Sequence, residues 1–201
     1  MPSSADIPPD DVVLAARVRE GDGAALEALF RWHAPALSAY AERLLGDTWT
    51  ADSVVQDVFV RVWLGRRDLH VGVSPRALLF RAVRNRAFDL LKQQRAEDRW
   101  VLRAAVEPPI QPRNQLDQLE ARELKAALRQ AMAELPPRAR EVIDLRVNEG
   151  LSHREIAEVM GISVKGVEGH RARALAHLRR ALEPWRDGVH VPALDDPPGA
   201  A

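Results

Sequence analysis

Apolar residues recur every three or four positions through nearly the whole chain, and no segment shows the alternating β-branched pattern of a half-buried strand. That periodicity restricts the chain to an all-α fold, and one interruption restricts it further. Glu107-Pro-Pro-Ile-Gln-Pro-Arg-Asn114 is proline-rich and poor in apolar side chains, the composition of a linker. The pattern therefore predicts two small helical domains, over 10–96 and 116–183, joined by a flexible linker over 97–115 that carries too few apolar residues to fix their orientation. The tail 184–201, with four prolines and an acidic pair, is expected to be disordered.

Within the first domain a short helix is expected from Asp11 to Glu20, closed by Gly21-Asp22-Gly23, and a longer one from Ala24 to Leu45, stopped by Gly46 and kinked at Pro35. From Thr50 to Leu64, Val54, Val55, Val58, Phe59, Val62 and Trp63 form one stripe, leaving Asp52, Gln56, Asp57 and Arg61 on an acidic outer side. Ser74-Pro75 supplies a cap and a proline at the first helical position for a helix to about Arg95, with Leu78, Leu79, Ala82, Val83, Arg86 and Leu90 near its apolar side. Arg81, Arg84, Asn85 and Lys92 lie on the other. The second domain should hold helices over 115–134 and 138–148, the latter with Val142, Ile143, Leu145 and Val147 inward. Ser152-His-Arg-Glu155 has the spacing of a capping box, Gly161 closes that helix, and Ser163 caps a last one running to about Glu183.

Formal charge is zero, from 29 basic and 29 acidic residues, but the signs are segregated. Residues 1–60 carry four basic and ten acidic side chains, 61–95 carry nine and two, and 163–183 carry five and two. Two basic islands, each ending a helical unit, suit a polyanion touched at two places. Cysteine is absent, which excludes disulfides, thiolate metal sites and a cysteine nucleophile, and six dispersed histidines give no metal centre. The N-terminus lacks the apolar run of a signal peptide and no stretch is apolar enough for a membrane span, so a cytoplasmic protein is expected.

The two short helices joined by Met160-Gly-Ile-Ser163 read as a helix-turn-helix, in which Gly161 supplies the positive φ of the turn. On the second helix Val164, Val167, Arg171, Leu175 and Leu178 share the side that packs inward. The opposite side presents Lys165, Glu168, Gly169, Ala172 and Arg173, with His170 at its margin, where a major groove can be read.

These segments carry a family resemblance. Leu14–Phe30 resembles the opening of an extracytoplasmic-function sigma factor of the sigma-70 class. Thr50-Ala-Asp-Ser-Val-Val-Gln-Asp-Val-Phe-Val-Arg-Val-Trp63 resembles that family's polymerase-binding helix, and Pro75–Leu91 its minus-ten recognition helix. Leu135–Arg146 and Leu151–Glu168 resemble its C-terminal minus-thirty-five domain. The resemblance implies a two-domain sigma factor that binds core RNA polymerase and promoter DNA, is controlled by an anti-sigma factor, and uses no cofactor, small-molecule substrate or catalytic group. It places polymerase docking on Asp52, Gln56, Asp57 and Arg61. Arg81, Arg84, Lys92 and Arg95 are then phosphate contacts, Asn85 captures an unstacked minus-ten base, and Lys165, Glu168, Gly169, His170, Ala172 and Arg173 meet the minus-thirty-five duplex.

The chain departs from that pattern in places. Ser53 stands where a second acidic residue is usual, and the loop 66–74 offers only Leu69 and His70 where some relatives have an aromatic beside the captured base. Gly166 and Gly169 each cost about 1 kcal/mol of helix propensity against Ala. Val167-Glu-Gly-His170 with Arg173-Ala-Leu-Ala-His-Leu-Arg179 resembles the iron-citrate-type subgroup. A LuxR-type regulator shares the Leu-Ser-x-x-Glu-Ile-Ala pattern, but requires a preceding ligand or phosphoacceptor domain with strands, whereas residues 1–95 are helical.

Overall fold

The computed structural model describes residues 10–69, 74–97 and 117–185, with the side chains of 95–97 and 117–122 excepted. The expected linker, the tail beyond Trp185, Arg95 as a phosphate contact and His70 in the base loop lie outside these residues. Eight α-helices and two short 3-10 turns occur among the described residues, and no strand. α1 (Asp11–Arg19) is capped by Asp10, whose carboxylate accepts from the Val12 and Val13 amides. α2 (Gly23–Leu45) is capped by Asp22, runs through Pro35 without a break in the helix, and ends on Gly46 at φ 77°. α3 (Thr48–Leu64) begins two residues earlier than the apolar stripe suggests, because Asp47 accepts from Thr50 N at 2.7 Å and caps it. A 3-10 turn, Arg66–Asp68, follows. α4 (Pro75–Glu97) opens on Ser74, whose hydroxyl accepts from Ala77 N at 3.3 Å.

α5 (Asp117–Glu134) and α6 (Pro137–Val147) are parted by Leu135-Pro136. α7 (His153–Met160) carries the complete capping box of Ser152 and Glu155, and Gly161 leaves it in the left-handed conformation at φ 64°. α8 (Val164–Ala181) starts from Ser163, whose hydroxyl accepts from Gly166 N at 3.1 Å, and a last 3-10 turn spans Glu183–Trp185. Local chemistry thus sets nearly every helix start.

Packing departs from the expectation of two units free to turn. Leu37, Tyr40, Phe80 and Val83 from α2 and α4 are fully buried in one apolar cluster with Val142, Leu145, Leu151, Ile156, Val159 and Val167 of the second unit. α4 lies on α7, and the two groups of helices share a core. A smaller cluster of Leu135, Ala139, Ile143 and Ala174 seals α6 against α8.

Two expectations of burial change. Val147 is 53% exposed, because the chain turns at Gly150 and Leu151, its amide donating to Leu145 O at 3.1 Å, takes the core position instead. Val164 is 42% exposed, since Ile162 in the preceding turn packs on the core and Val167 and Ala174 form the buried seam of α8. Val12 and Val13 face outward while Leu14, Ala15 and Val18 anchor α1.

Candidate nucleic-acid interface

α3 and α4 lie side by side with Val54, Val55, Val58 and Phe59 turned into the core, which leaves Asp52, Gln56, Asp57 and Arg61 exposed as expected. The same outward side carries Trp49 at 79% exposure, Val60 at 58% and Leu64 at 74%. This face is therefore acidic and apolar at once. The apolar half is legible in the sequence, since these residues fall off the buried stripe, but a reading by charge alone passes over it. Asp57 is not a free carboxylate: its Oδ2 accepts from Arg86 Nη2 at 3.1 Å. Arg86, expected near the apolar side of α4, is half-buried and turned to α3.

Between α3, the Arg66–Asp68 turn and α4 lies a cleft of about 340 Å³, at the lower end of small-ligand pockets. Val58, Val62, Leu69 and Ala82 form its apolar walls, and Asn85, Arg86, Arg61, Asp68 and Asp89 supply its polar groups. Asn85 and Arg61, assigned from sequence to different partners, thus border one cavity. Arg81 is exposed on the adjoining surface. So is Lys92, with only Asp89 at 3.8 Å, a separation at which a solvated pair contributes little.

Arg84 has a different setting. Its Nε and Nη2 donate to both oxygens of Glu141 on α6 at 2.6 and 3.1 Å, and Tyr40 Oη donates to the same carboxylate at 2.9 Å. Burial, joined by the Glu141 charge, pushes the Tyr40 phenol far above its ordinary range, so it remains a donor. Burial acts to lower the Arg84 pKa, but Glu141 outweighs it and raises the net value. Around this triad Arg43 donates to Asp144 at 2.7 Å and to the buried Glu149, Arg76 donates to the Glu149 carbonyl, and Ser74 Oγ donates to Glu155 at 2.9 Å. Sequence reasoning missed this seam, whose members sit 57 to 106 residues apart.

On α8 the side expected to face outward does so: Lys165, Glu168, Ala172 and Arg173 are exposed, and Gly169 and His170 lie at its half-exposed edge. Burial, then the Arg173 and Arg138 cations, hold the His170 imidazole below its usual pKa. A neutral ring whose Nδ1 accepts from Arg173 Nη2 at 3.1 Å keeps Nε2–H as an outward donor. Gly166 is accounted for by its capping contact: a Cβ there would stand 3.3 Å from Ser163 Oγ, the group that caps the helix, whereas Gly169 has nothing within 4 Å of that position.

Among the described residues there is no cluster of His, Cys, Asp and Glu suited to a metal ion, and no helix long and apolar enough to cross a membrane.

Helices α3 and α4 with their cleft are thus followed by a helix-turn-helix packed against them. The family model for sigma-70 region 2 matches residues 29–97 and that for sigma-70 region 4 matches 125–178. The RNA polymerase sigma factor CnrH of Cupriavidus metallidurans is 35% identical over 181 residues, covering 86% of this chain and 94% of that protein. The ferric citrate uptake sigma factor FecI of Escherichia coli is 28% identical over 154 residues, covering 75% and 87%. The solved structure of CnrH in complex with the cytosolic domain of CnrY superposes with a TM-score of 0.62 at 32% identity, over 87% of this chain and 97% of that one. The chain belongs to the sigma-70 family of RNA polymerase sigma factors, in its extracytoplasmic-function group. It directs core RNA polymerase to promoters.

Proposed function

We propose that this sigma factor divides its work over three surfaces: the exposed side of α3 docks on core polymerase, the α3–α4 cleft captures one unstacked minus-ten base, and α8 reads the minus-thirty-five duplex. The domain assignments follow: 10–96 for docking and melting, 116–183 for upstream recognition. Polymerase would meet Asp52, Gln56 and Asp57 with basic groups and cover Trp49, Val60 and Leu64, whose exposure otherwise wastes apolar area. Arg81 and Lys92 track phosphates beside the cleft. Lys165, Glu168, Gly169, His170, Ala172 and Arg173 face the groove. Melting by capture of a base needs no catalytic group and no cofactor, and work on promoter DNA places the protein in the cytoplasm.

The single observation that carries the reading is the cleft: an amide, Asn85, beside apolar walls and next to the docking face. Apolar walls suit the faces of a base, and an amide pairs with its edge. The arrangement also implies a movement. Minus-ten and minus-thirty-five elements lie about 85 Å apart along duplex at about 3.4 Å per base pair, whereas a single compact body of 201 residues has a radius of gyration of about 16 Å. Engaging both elements requires the Arg84–Glu141 seam to part, which also frees Arg84 for phosphate. The CnrH structure with CnrY and the resemblance of 167–179 to the iron-citrate type support an anti-sigma factor as the partner that governs this step.

Permanganate footprinting with reconstituted holoenzyme tests the reading. Asn85→Ala should reduce opening of a duplex promoter more than binding to it, and Asp52→Arg should weaken the complex with core polymerase while circular dichroism stays unchanged. Full opening by the Asn85 variant would refute base capture in this cleft.

A further inference from the structure

The cleft holds a second group equipped to read a base. Arg86 follows Asn85 on α4 and lines the same cavity. Its Nη2 is held by Asp57 at 3.1 Å, which fixes the guanidinium plane, yet its Nε is buried and has no hydrogen-bond partner. A buried donor without an acceptor is costly, and a ligand that supplies the acceptor recovers that cost. The charges lining the cleft set the ligand's character: Arg61 and Arg86 are matched by Asp68 and Asp89, so a neutral heterocycle suits the site better than a phosphate.

We propose that Arg86 is a specificity-determining residue of the minus-ten contact, donating from Nε to a carbonyl acceptor of the base that Asn85 holds, with Asp57 as its positioning residue. The inference rests on the base-capture reading of the cleft and adds the group that discriminates among bases. A guanidinium offers donors only, so it needs an acceptor, and the carbonyl oxygen is the acceptor that adenine lacks. Bases with a carbonyl, namely cytosine, guanine and thymine, are favoured over adenine. Asp57 also belongs to the face proposed to meet polymerase. A basic group of polymerase that draws on Asp57 therefore changes how firmly Arg86 is held, and ties docking to readout.

The probe is a pool of forked DNA templates with the minus-ten single strand randomised, selected on holoenzyme made with full-length protein and then sequenced. Wild type should enrich carbonyl-bearing bases over adenine at one position. Arg86→Gln should lower that enrichment about tenfold, the scale of one good base contact, and leave the other positions alone. Arg86→Lys keeps the charge and a partner for Asp57 but lacks the planar Nε donor; it should lose the preference too, and it serves where the Gln variant fails to fold. Asp57→Asn should lower the enrichment at the same position by a smaller factor. If wild type enriches a base there and both Arg86 variants enrich it equally, the assignment to Arg86 is overturned while base capture stands. An even loss at every position would overturn it in favour of a phosphate contact. No enriched position in wild type, or an Asn85→Ala variant that keeps the enriched one, would remove the base-capture reading itself.

Discussion

The two helices that face DNA in the proposed function are held in opposite ways. α8 presents Lys165, Glu168, Ala172 and Arg173 to solvent, and its buried seam of Val167 and Ala174 is separate from them. α4 is engaged on three sides: Phe80 and Val83 in the core, Arg86 on Asp57 of α3, and Arg84 on Glu141 of α6. A groove reader needs only a stable helix behind an exposed face. A strand-opening helix must instead change partners, since the base it holds exists only after melting. Pairing Arg84 with Glu141 keeps that cation from binding duplex indiscriminately, and in the proposed function makes its release depend on the parting of the two units.

The shared core gives this comparison its sharpest test. Phe80→Ala, in the first unit, should cost about 3 to 5 kcal/mol, and Leu145→Ala, in the second, about 2 to 5 kcal/mol, both being fully buried. Because both side chains belong to one cluster, each substitution should lower a single common transition seen by calorimetry and by circular dichroism. Two separated transitions, one for each variant, would show units that fold independently and would detach the behaviour of α4 from that of α8.

A smaller effect is expected at the seam. Glu141→Ala leaves the Tyr40 hydroxyl and the Arg84 guanidinium without their acceptor. With the Arg84 side chain 19% exposed, water compensates in part, and the loss should be about 1 to 3 kcal/mol. Small-angle scattering should then report a larger radius of gyration, and binding to minus-ten single strand should rise as Arg84 is freed. An unchanged radius with unchanged DNA binding would mean that the apolar contacts alone hold the units closed. Asp52→Arg, remote from the seam, is the control.

The sequence read most clearly where chemistry is local. Caps at Ser74, Ser152 and Ser163 and stops at Gly46 and Gly161 each act within a few residues, so their spacing alone places the helix ends. The α8 face follows from one helix's periodicity for the same reason. What escaped is what depends on distant partners. Glu141 and Asp144 look like the solvated side of α6 and Glu149 like part of the turn after it, and only the folded chain shows them receiving Tyr40, Arg84 and Arg43. Arg86 fell among the apolar positions of α4 because periodicity records which way a side chain points, and says nothing about the carboxylate waiting there.

Acid should loosen the same seam by a route that one residue controls. Burial opposes the Glu155 charge, but hydrogen bonds from the Ser152 amide and hydroxyl and from Ser74, with Arg76 nearby, bring its pKa below the ordinary 4.5. A carboxyl with a lower pKa folded than unfolded adds stability that is whole above about pH 4.5 and is lost as pH falls through the folded value. Melting temperature followed from pH 7 down to about 3 should show this loss. Glu155→Gln preserves the capping-box geometry without titrating there, so its curve should be flatter. Parallel curves would place the acid sensitivity on other carboxylates.

The smallest effect concerns the free face of α8, and separates what that helix needs for folding from what it needs for DNA. Gly169 sits in mid-helix with open space where a Cβ would be, so Gly169→Ala should stabilise the protein by about 0.5 to 1 kcal/mol through helix propensity alone. At Gly166 the same change meets Ser163 Oγ at 3.3 Å, and the strain on the cap should offset most of that gain. If the second unit approaches the duplex closely at Gly169, the stabilised variant will bind minus-thirty-five DNA more weakly than wild type in a mobility shift at fixed salt. Stability and binding rising together would instead show that Gly169 is no approach point, and would move the contact toward Lys165 and Arg173.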